Sequence, residues 1–218
     1  MNAATVHTVI DDLGALLLFT MILIVAAGQI YRAIYAVAGQ SFLIAVAGAV
    51  LARASGNRDL WVIAGVTLVV KAMVLPFVLH TVVKRMNVRR EVEPVIPIAA
   101  TLALAVLIVV VSFQLSASLG SVRQTITGNA LPVGIALTLT GVLVMATRKT
   151  ALTQMVGLFA SENGIFFTAM AVRQGMPLII EIGVILDVIL AALVMTIMVL
   201  RVRSTIDADI ADLDRLRG

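Results

Sequence analysis

Long apolar runs, parted by short polar clusters, make up most of this chain. A bilayer span takes about 20 predominantly apolar residues. Seven stretches reach that length, at roughly 13–31, 33–53, 60–83, 96–116, 130–147, 151–172 and 177–200. Backbone polar groups in hydrocarbon need internal partners, so each stretch is expected to be a helix. Breakers stand in the gaps. Gly56-Asn57 parts the second and third runs, and Pro94 and Pro97 open the fourth. Gly128-Asn129 precedes the fifth, and Gly175 and Pro177 precede the seventh. The first and fifth connections are very tight, centred on Arg32 and on Arg148-Lys149. The expected class is all-α, a polytopic membrane protein of seven transmembrane helices.

Composition sharpens this. Of 218 residues, 61% are hydrophobic and 13% charged. Soluble domains hold about 45–50% apolar and about 25% charged residues. A chain of this size lacks the core volume to hide so much apolar surface from water. A soluble enzyme, a disordered tail and a secreted disulfide scaffold are excluded. With no cysteine, the chain has no thiolate metal site and no iron–sulfur ligation of its own. Two histidines, one of them the near-terminal His7, offer no metal or haem site. Met1–Asp12 has no basic n-region and no small-residue cleavage pattern, so it reads as mature sequence.

The net charge of +4 comes from 16 basic and 12 acidic residues. These bases lie mostly between apolar runs, which points to membrane orientation rather than to nucleic acid. Eleven fall on one side: Arg32, Lys84, Arg85, Arg89, Arg90, Arg148, Lys149, Arg201, Arg203, Arg215 and Arg217. Four fall on the other, Arg53, Arg58, Arg123 and Arg173. The positive-inside rule then puts the N-terminus outside and the C-terminus in the cytoplasm. The expected location is a bacterial or archaeal cell membrane.

Residues 1–203 read as a seven-helix membrane domain. It divides into a three-helix unit at 13–83, a linking helix at 96–116 and a second three-helix unit at 130–200. At an offset of 116, Arg32 aligns with Arg148, Gly48 with Gly164 and Lys71 with Asp187, which suggests parallel repeats. The tail 204–218 has Ile206, Ile210, Leu213 and Leu216 on one helical stripe, with aspartates elsewhere. It reads as a surface helix on the membrane or a docking helix for a partner.

The buried charges carry the chemistry. An ionisable group at mid-membrane costs at least about 2.5–3.5 kcal/mol. Such a group needs a partner, a water-filled cavity or a neutral state. Lys71 is near the middle of the third run, Glu162 of the sixth and Asp187 of the seventh. Glu181 is six residues before Asp187, about 9 Å along the axis and about 120° around it. One reading makes these groups a lateral line of exchangeable protons. The other makes them static: Lys71 neutralises a carboxylate such as Asp187, Glu162 is a neutral packing residue, and Glu181 is interfacial. His80 lies toward the cytoplasmic end of the third run, beyond Pro76, and could help hydrate a route from Lys71. Proline there frees the carbonyl of residue 72. Ser41, Ala45 and Ala49, with Gly48 and Ala52 beside them, form a small-residue face for tight helix packing. No phosphate loop, nucleophile elbow or His-Glu-x-x-His pattern is present, so no catalytic centre is expected in this chain.

The stretch from Gly141 through Arg148-Lys149 to Gly157-Leu158, followed by Glu162-Asn163-Gly164, resembles the three-helix K-type subunit of complex I and of multi-subunit cation/proton antiporters. The whole chain resembles the component E subunit of hydrogenase-4 and formate hydrogenlyase-type membrane-bound hydrogenases. The resemblance implies a membrane-arm subunit without its own cofactor. Its expected partners are antiporter-like membrane subunits, peripheral redox subunits and the lipid bilayer, with no nucleic acid. It also implies that Glu162 and Asp187, or Glu181 in place of Asp187, belong to a proton or Na+ pathway. The sequence departs from the complex I pattern at one point. Phe159-Ala160-Ser161 stands between the Gly-Leu pair and Glu162. That insertion keeps the helix face roughly and shifts depth by about 4.5 Å.

Overall fold

The structure is a computed structural model that describes residues 2–85, 94–119 and 127–171. The seventh apolar run, its acids Glu181 and Asp187, and the tail 204–218 lie outside the described residues. Every regular element among the described residues is helical. In chain order these are α1 (Ala3–Ala26), α2 (Ile30–Ser55), α3, α4 (Ile98–Ser118), α5 (Ala130–Thr147) and α6 (Ala151–Ala171). α3 is a continuous rod in three parts: α-helical Arg58–Val66, π-helical Thr67–Val74 and α-helical Leu75–Arg85.

Five helical stretches are long and apolar enough to cross a membrane: Ala3–Ala26, Ile30–Ser55, Arg58–Lys84, Ile98–Ser118 and Ala130–Thr147. These suit a multi-pass membrane protein. α6 has the length but is not among the five, because Gln154, Ser161, Glu162 and Asn163 cut its apolarity. It can carry them because most of its length is buried by its neighbours rather than by lipid.

The helix ends show how local chemistry sets the boundaries. Gly56 closes α2 in the left-handed region, its N–H bonded to the Ala52 carbonyl at 2.9 Å. The Asn57 side chain then caps α3 by accepting from Asp59 N–H at 2.9 Å. α5 and α6 begin where the breakers place them. α1 does not follow the expectation. It begins at Ala3, ten residues before the apolar run, and stops at Ala26. The first connection is therefore Ala27–Gln29, and Arg32 already lies inside α2. Apolarity measures the part that lipid requires, whereas the hydrogen-bonded helix continues past it until a breaker such as Gly28 intervenes.

α3 has a proline problem. Pro76 lacks an N–H, and its ring crowds the carbonyl four residues back. The rod responds upstream by widening into the π-form, and Leu75 N–H bonds to the Val70 carbonyl, five residues earlier. This long π segment resets the phase of the helix at Lys71.

Packing puts α2 between α1 and α3, and α6 against both α5 and α2. α4 lies on α5, with a smaller contact to α1. In lipid, close van der Waals fit rather than water exclusion drives such contacts, so small residues set the approach. α5 and α6 come together at two glycine pairs, each helix contributing glycines seven residues apart. A Cβ at Gly141 would fall 2.6 Å from the Gly157 carbonyl oxygen, and one at Gly164 would fall 2.6 Å from that of Gly134. Thr138 Oγ1 donates across the seam to the Ser161 carbonyl at 3.3 Å. The small face of α2 is spent inside the chain, because a Cβ at Gly48 would meet Met170 Sδ and Ala64 Cβ. Outward-facing Phe77, Trp61 and Val106 are the residues a lipid solvent tolerates.

Arg148 departs from its expected place on a basic surface turn. It is buried at 4% exposure, and its Nη2 donates to the Val25 carbonyl at 2.7 Å. Val25 is in the last turn of α1, where carbonyls lack helical partners and attract cations. The turn between α5 and α6 is thereby tied to the end of α1. Arg148→Met removes the donor and leaves that carbonyl buried, at a cost of about 1–3 kcal/mol. A thermal melt of the purified chain in detergent should show the loss, and an unchanged midpoint would contradict it.

Candidate functional site

Lys71 and Glu162 meet. Lys71 projects from the π-helical part of α3, and Glu162 from the middle of α6. Their Nζ and Oε2 atoms are 3.2 Å apart, with side-chain exposures of 2% and 4%. Lys71 is therefore paired with Glu162 among the described residues. The two lie on helices whose direct contact is slight, so the long lysine side chain bridges them. Phe166, one turn beyond Glu162, sets its ring 4.8 Å from the ammonium. A desolvated cation over an aromatic face gains about 2 kcal/mol. The charge is thus met by a carboxylate on one side and a π-face on another.

The next residue turns the other way. Asn163 is fully buried, and its Nδ2 donates to Gln40 Oε1 and to Ser41 Oγ, both at 3.1 Å. Gln40 Nε2 in turn points to Met21 Sδ on α1 at 3.8 Å. Consecutive residues on a helix differ by about 100°. Glu162 therefore addresses α3 while Asn163 addresses α2. A polar layer crosses the bundle from Lys71 through Glu162 and Asn163 to Gln40 and Ser41. Asn163 Oδ1 has no hydrogen-bond partner among the described residues. A buried amide oxygen of this kind is a place where internal water binds.

Gln40 is the member that sequence reasoning missed. Gln40 carries no charge to mark it, and Ser41 stands out in the sequence only for its small size. The signal was present: Gln40 lies inside a long apolar run. An amide at that depth needs a partner as surely as a charge does.

His80 takes a different place. It lies nine residues beyond Lys71, about 13 Å along the helix. Its ring packs on Tyr31 at a centroid distance of 5.0 Å, and its Nδ1 is 3.4 Å from the Tyr35 hydroxyl. The described residues give it aromatic company on α2 and no direct link to Lys71. Glu181 and Asp187 lie outside the described residues. Among the described residues, no three His, Cys, Asp or Glu side chains gather as metal ligands would.

Chemically, the site is a buried, charge-compensated ion pair beside an amide and hydroxyl cluster. No family model matches this chain, and no solved structure matches it. It is similar to the uncharacterized protein Rv0085 of Mycobacterium tuberculosis, 29% identical over 218 residues. That similarity covers 100% of this chain and 98% of the relative.

Proposed function

We propose that this chain is a non-catalytic membrane-arm subunit of a complex I-like NiFe-hydrogenase of the formate hydrogenlyase type. In this reading it crosses a bacterial or archaeal cell membrane seven times, with the N-terminus outside and the C-terminus in the cytoplasm. It holds antiporter-like subunits to the redox arm and contributes Glu162, Lys71 and Asp187 to movement of H+ or Na+.

The observation that carries this reading is the Lys71–Glu162 pair at 3.2 Å, buried between α6 and a helix long and apolar enough to cross a membrane. Two opposite charges at this separation attract by about 5 kcal/mol at an effective dielectric of about 20. A proton arriving on Glu162 abolishes that attraction. The ammonium of Lys71 then loses this counter-charge and is drawn toward another acceptor. Charge at one helix is thus converted into charge at the next. The resemblance supplies Asp187 as the following acid.

Glu162→Gln keeps the size and removes the exchangeable charge. The expected result is an assembled complex with hydrogenase turnover intact and proton movement reduced about tenfold. Dye quenching in inverted vesicles, alongside hydrogen production, measures both. A closed pair with Phe166 over the ammonium is also what a static strut would display, and this favours a scaffold as the second reading. Unchanged proton movement in the Glu162→Gln complex would select the scaffold.

A further inference from the structure

Where α2 begins and α3 ends, the two helices carry a group of side chains that the Lys71–Glu162 pair does not use. α2 has 26 residues and is therefore about 39 Å long. The hydrocarbon core of a bilayer is about 30 Å thick. The first turn of a spanning α2 thus reaches the headgroup layer. So does the last turn of α3, which returns alongside α2 after the Gly56-Asn57 turn.

His80 seats its ring against two tyrosines of α2. Its centroid is 5.0 Å from that of Tyr31 and 6.2 Å from that of Tyr35, and its Nδ1 is 3.4 Å from the Tyr35 hydroxyl. Tyr35 is nonetheless 61% exposed. A tyrosine held on one edge and open on the other suits a membrane–water boundary, where its ring meets apolar chains and its hydroxyl meets headgroups.

Cations flank this aromatic step. Arg32 is three residues before Tyr35 on α2, and Lys84 is four residues beyond His80 on α3. Both spacings keep a residue on its neighbour's face of the helix, and both side chains are exposed. Among the described residues, no acidic side chain pairs with either. Toward the membrane middle the same faces turn apolar. Phe42 is seven residues beyond Tyr35 and Phe77 three before His80, and both are exposed. Because the helices run in opposite directions, both phenylalanines lie on the membrane side of the tyrosine–histidine step, by about 10 Å and about 4.5 Å.

We propose that Arg32, Tyr35 and Lys84, with His80 bracing Tyr35, bind the headgroup phosphate of an anionic phospholipid whose acyl chain lies along Phe42 and Phe77. A guanidinium and an ammonium give charge-assisted hydrogen bonds to phosphate oxygens, and basic side chains between helices at the membrane surface select anionic headgroups. The layering follows the order in which a phospholipid presents charge and hydrocarbon. A soluble anion would match the cations and leave the phenylalanines unoccupied. A zwitterionic lipid would match the phenylalanines and bring its own cation to the two bases. The site rests on α2 and α3 crossing a membrane and is independent of the hydrogenase reading.

Lipid quenching of the full chain in nanodiscs tests it. Trp61, the chain's one tryptophan, lies near the opposite end of α3. Trp61→Phe combined with Tyr35→Trp therefore places a single fluorescent reporter at the site, and brominated lipids quench it on contact. Brominated phosphatidylglycerol should show about fivefold higher relative affinity than brominated phosphatidylcholine, the size of effect that bases at an anionic surface produce. Adding Arg32→Gln and Lys84→Gln should bring the ratio close to one. Inorganic phosphate should not relieve the quenching. Equal quenching by the two lipids, a ratio that survives both glutamines, or relief by inorganic phosphate overturns the proposal. Native mass spectrometry of the unmodified chain, released from detergent with an equal mixture of the two lipids, needs no variant. Preferential retention of phosphatidylglycerol is expected, and the absence of a preference overturns the proposal even if the reporter chains fail to fold.

Discussion

Lys71→Met should destabilise the folded chain by about 3–5 kcal/mol, because it takes the facing ammonium from the buried Glu162 carboxylate. Glu162→Met should cost a similar amount by taking the facing carboxylate from the buried ammonium. The double variant should recover most of that loss, since two flexible apolar side chains of comparable length fill the same space without a charge to desolvate. Both members of the ion pair are buried, and Phe166 sets its ring 4.8 Å from Nζ, so the lost contact lies in a place shielded from bulk water. Unfolding of the four proteins in mixed micelles gives the coupling directly. If the two single losses merely add in the double variant, the residues do not act as a pair in the membrane. Stability and proton movement should then part company. A double variant that folds well and fails to move protons in the complex would place the pair in the pathway rather than in the scaffold.

Gly141→Leu should leave no folded α5–α6 hairpin. The backbones touch there, and a Cβ already falls 2.5 Å from Ser161 N and 2.6 Å from the Gly157 carbonyl oxygen. Neither is the end of a flexible side chain, so nothing local can give way. Gly141→Ala alone should cost about 1–3 kcal/mol by forcing the helices apart. The controls are Gly39→Ala and Gly65→Ala, also within helices but with open space at the Cβ position. Those should be neutral or stabilising by about 1 kcal/mol, because alanine is the better helix former. Yield of monodisperse protein and the midpoint of thermal unfolding distinguish the two classes. Loss of the hairpin also moves Glu162 and Asn163, so the same substitution should abolish the polar layer that Lys71 joins.

The two glycine seams and the pair illustrate different degrees of legibility. Periodic apolarity and the breakers Gly56-Asn57, Gly128-Asn129 and Arg148-Lys149 located most helices from composition alone. α5 occupies 130–147 as the run predicted, and α6 is helical from 151 to 171, the last of its described residues. α1 was misjudged at its start because Asp11 and Asp12 ended the apolar run without ending the helix. Asp11 instead serves a distant part of the chain, where it holds the turn before α5. Pro76 was recognisable as a disturbance, but the π-helix that answers it depends on which widening of the rod its neighbours accept. Gln40 carries no charge to single it out, yet the interior also demands a partner for an uncharged amide.

By itself, the sequence determined that lipid is the solvent for this chain and where helices are obligatory. It also showed that Lys71 and Glu162 each need compensation, because desolvation is a property of depth and residue type. The choice of partner was a tertiary matter. Lys71 meets Glu162 among the described residues, Asn163 turns to Gln40, and Arg148 leaves the surface for Val25. Each depends on the rotation of one helix against another, and that rotation follows from glycine contacts and a π-helical phase shift between residues far apart in the chain.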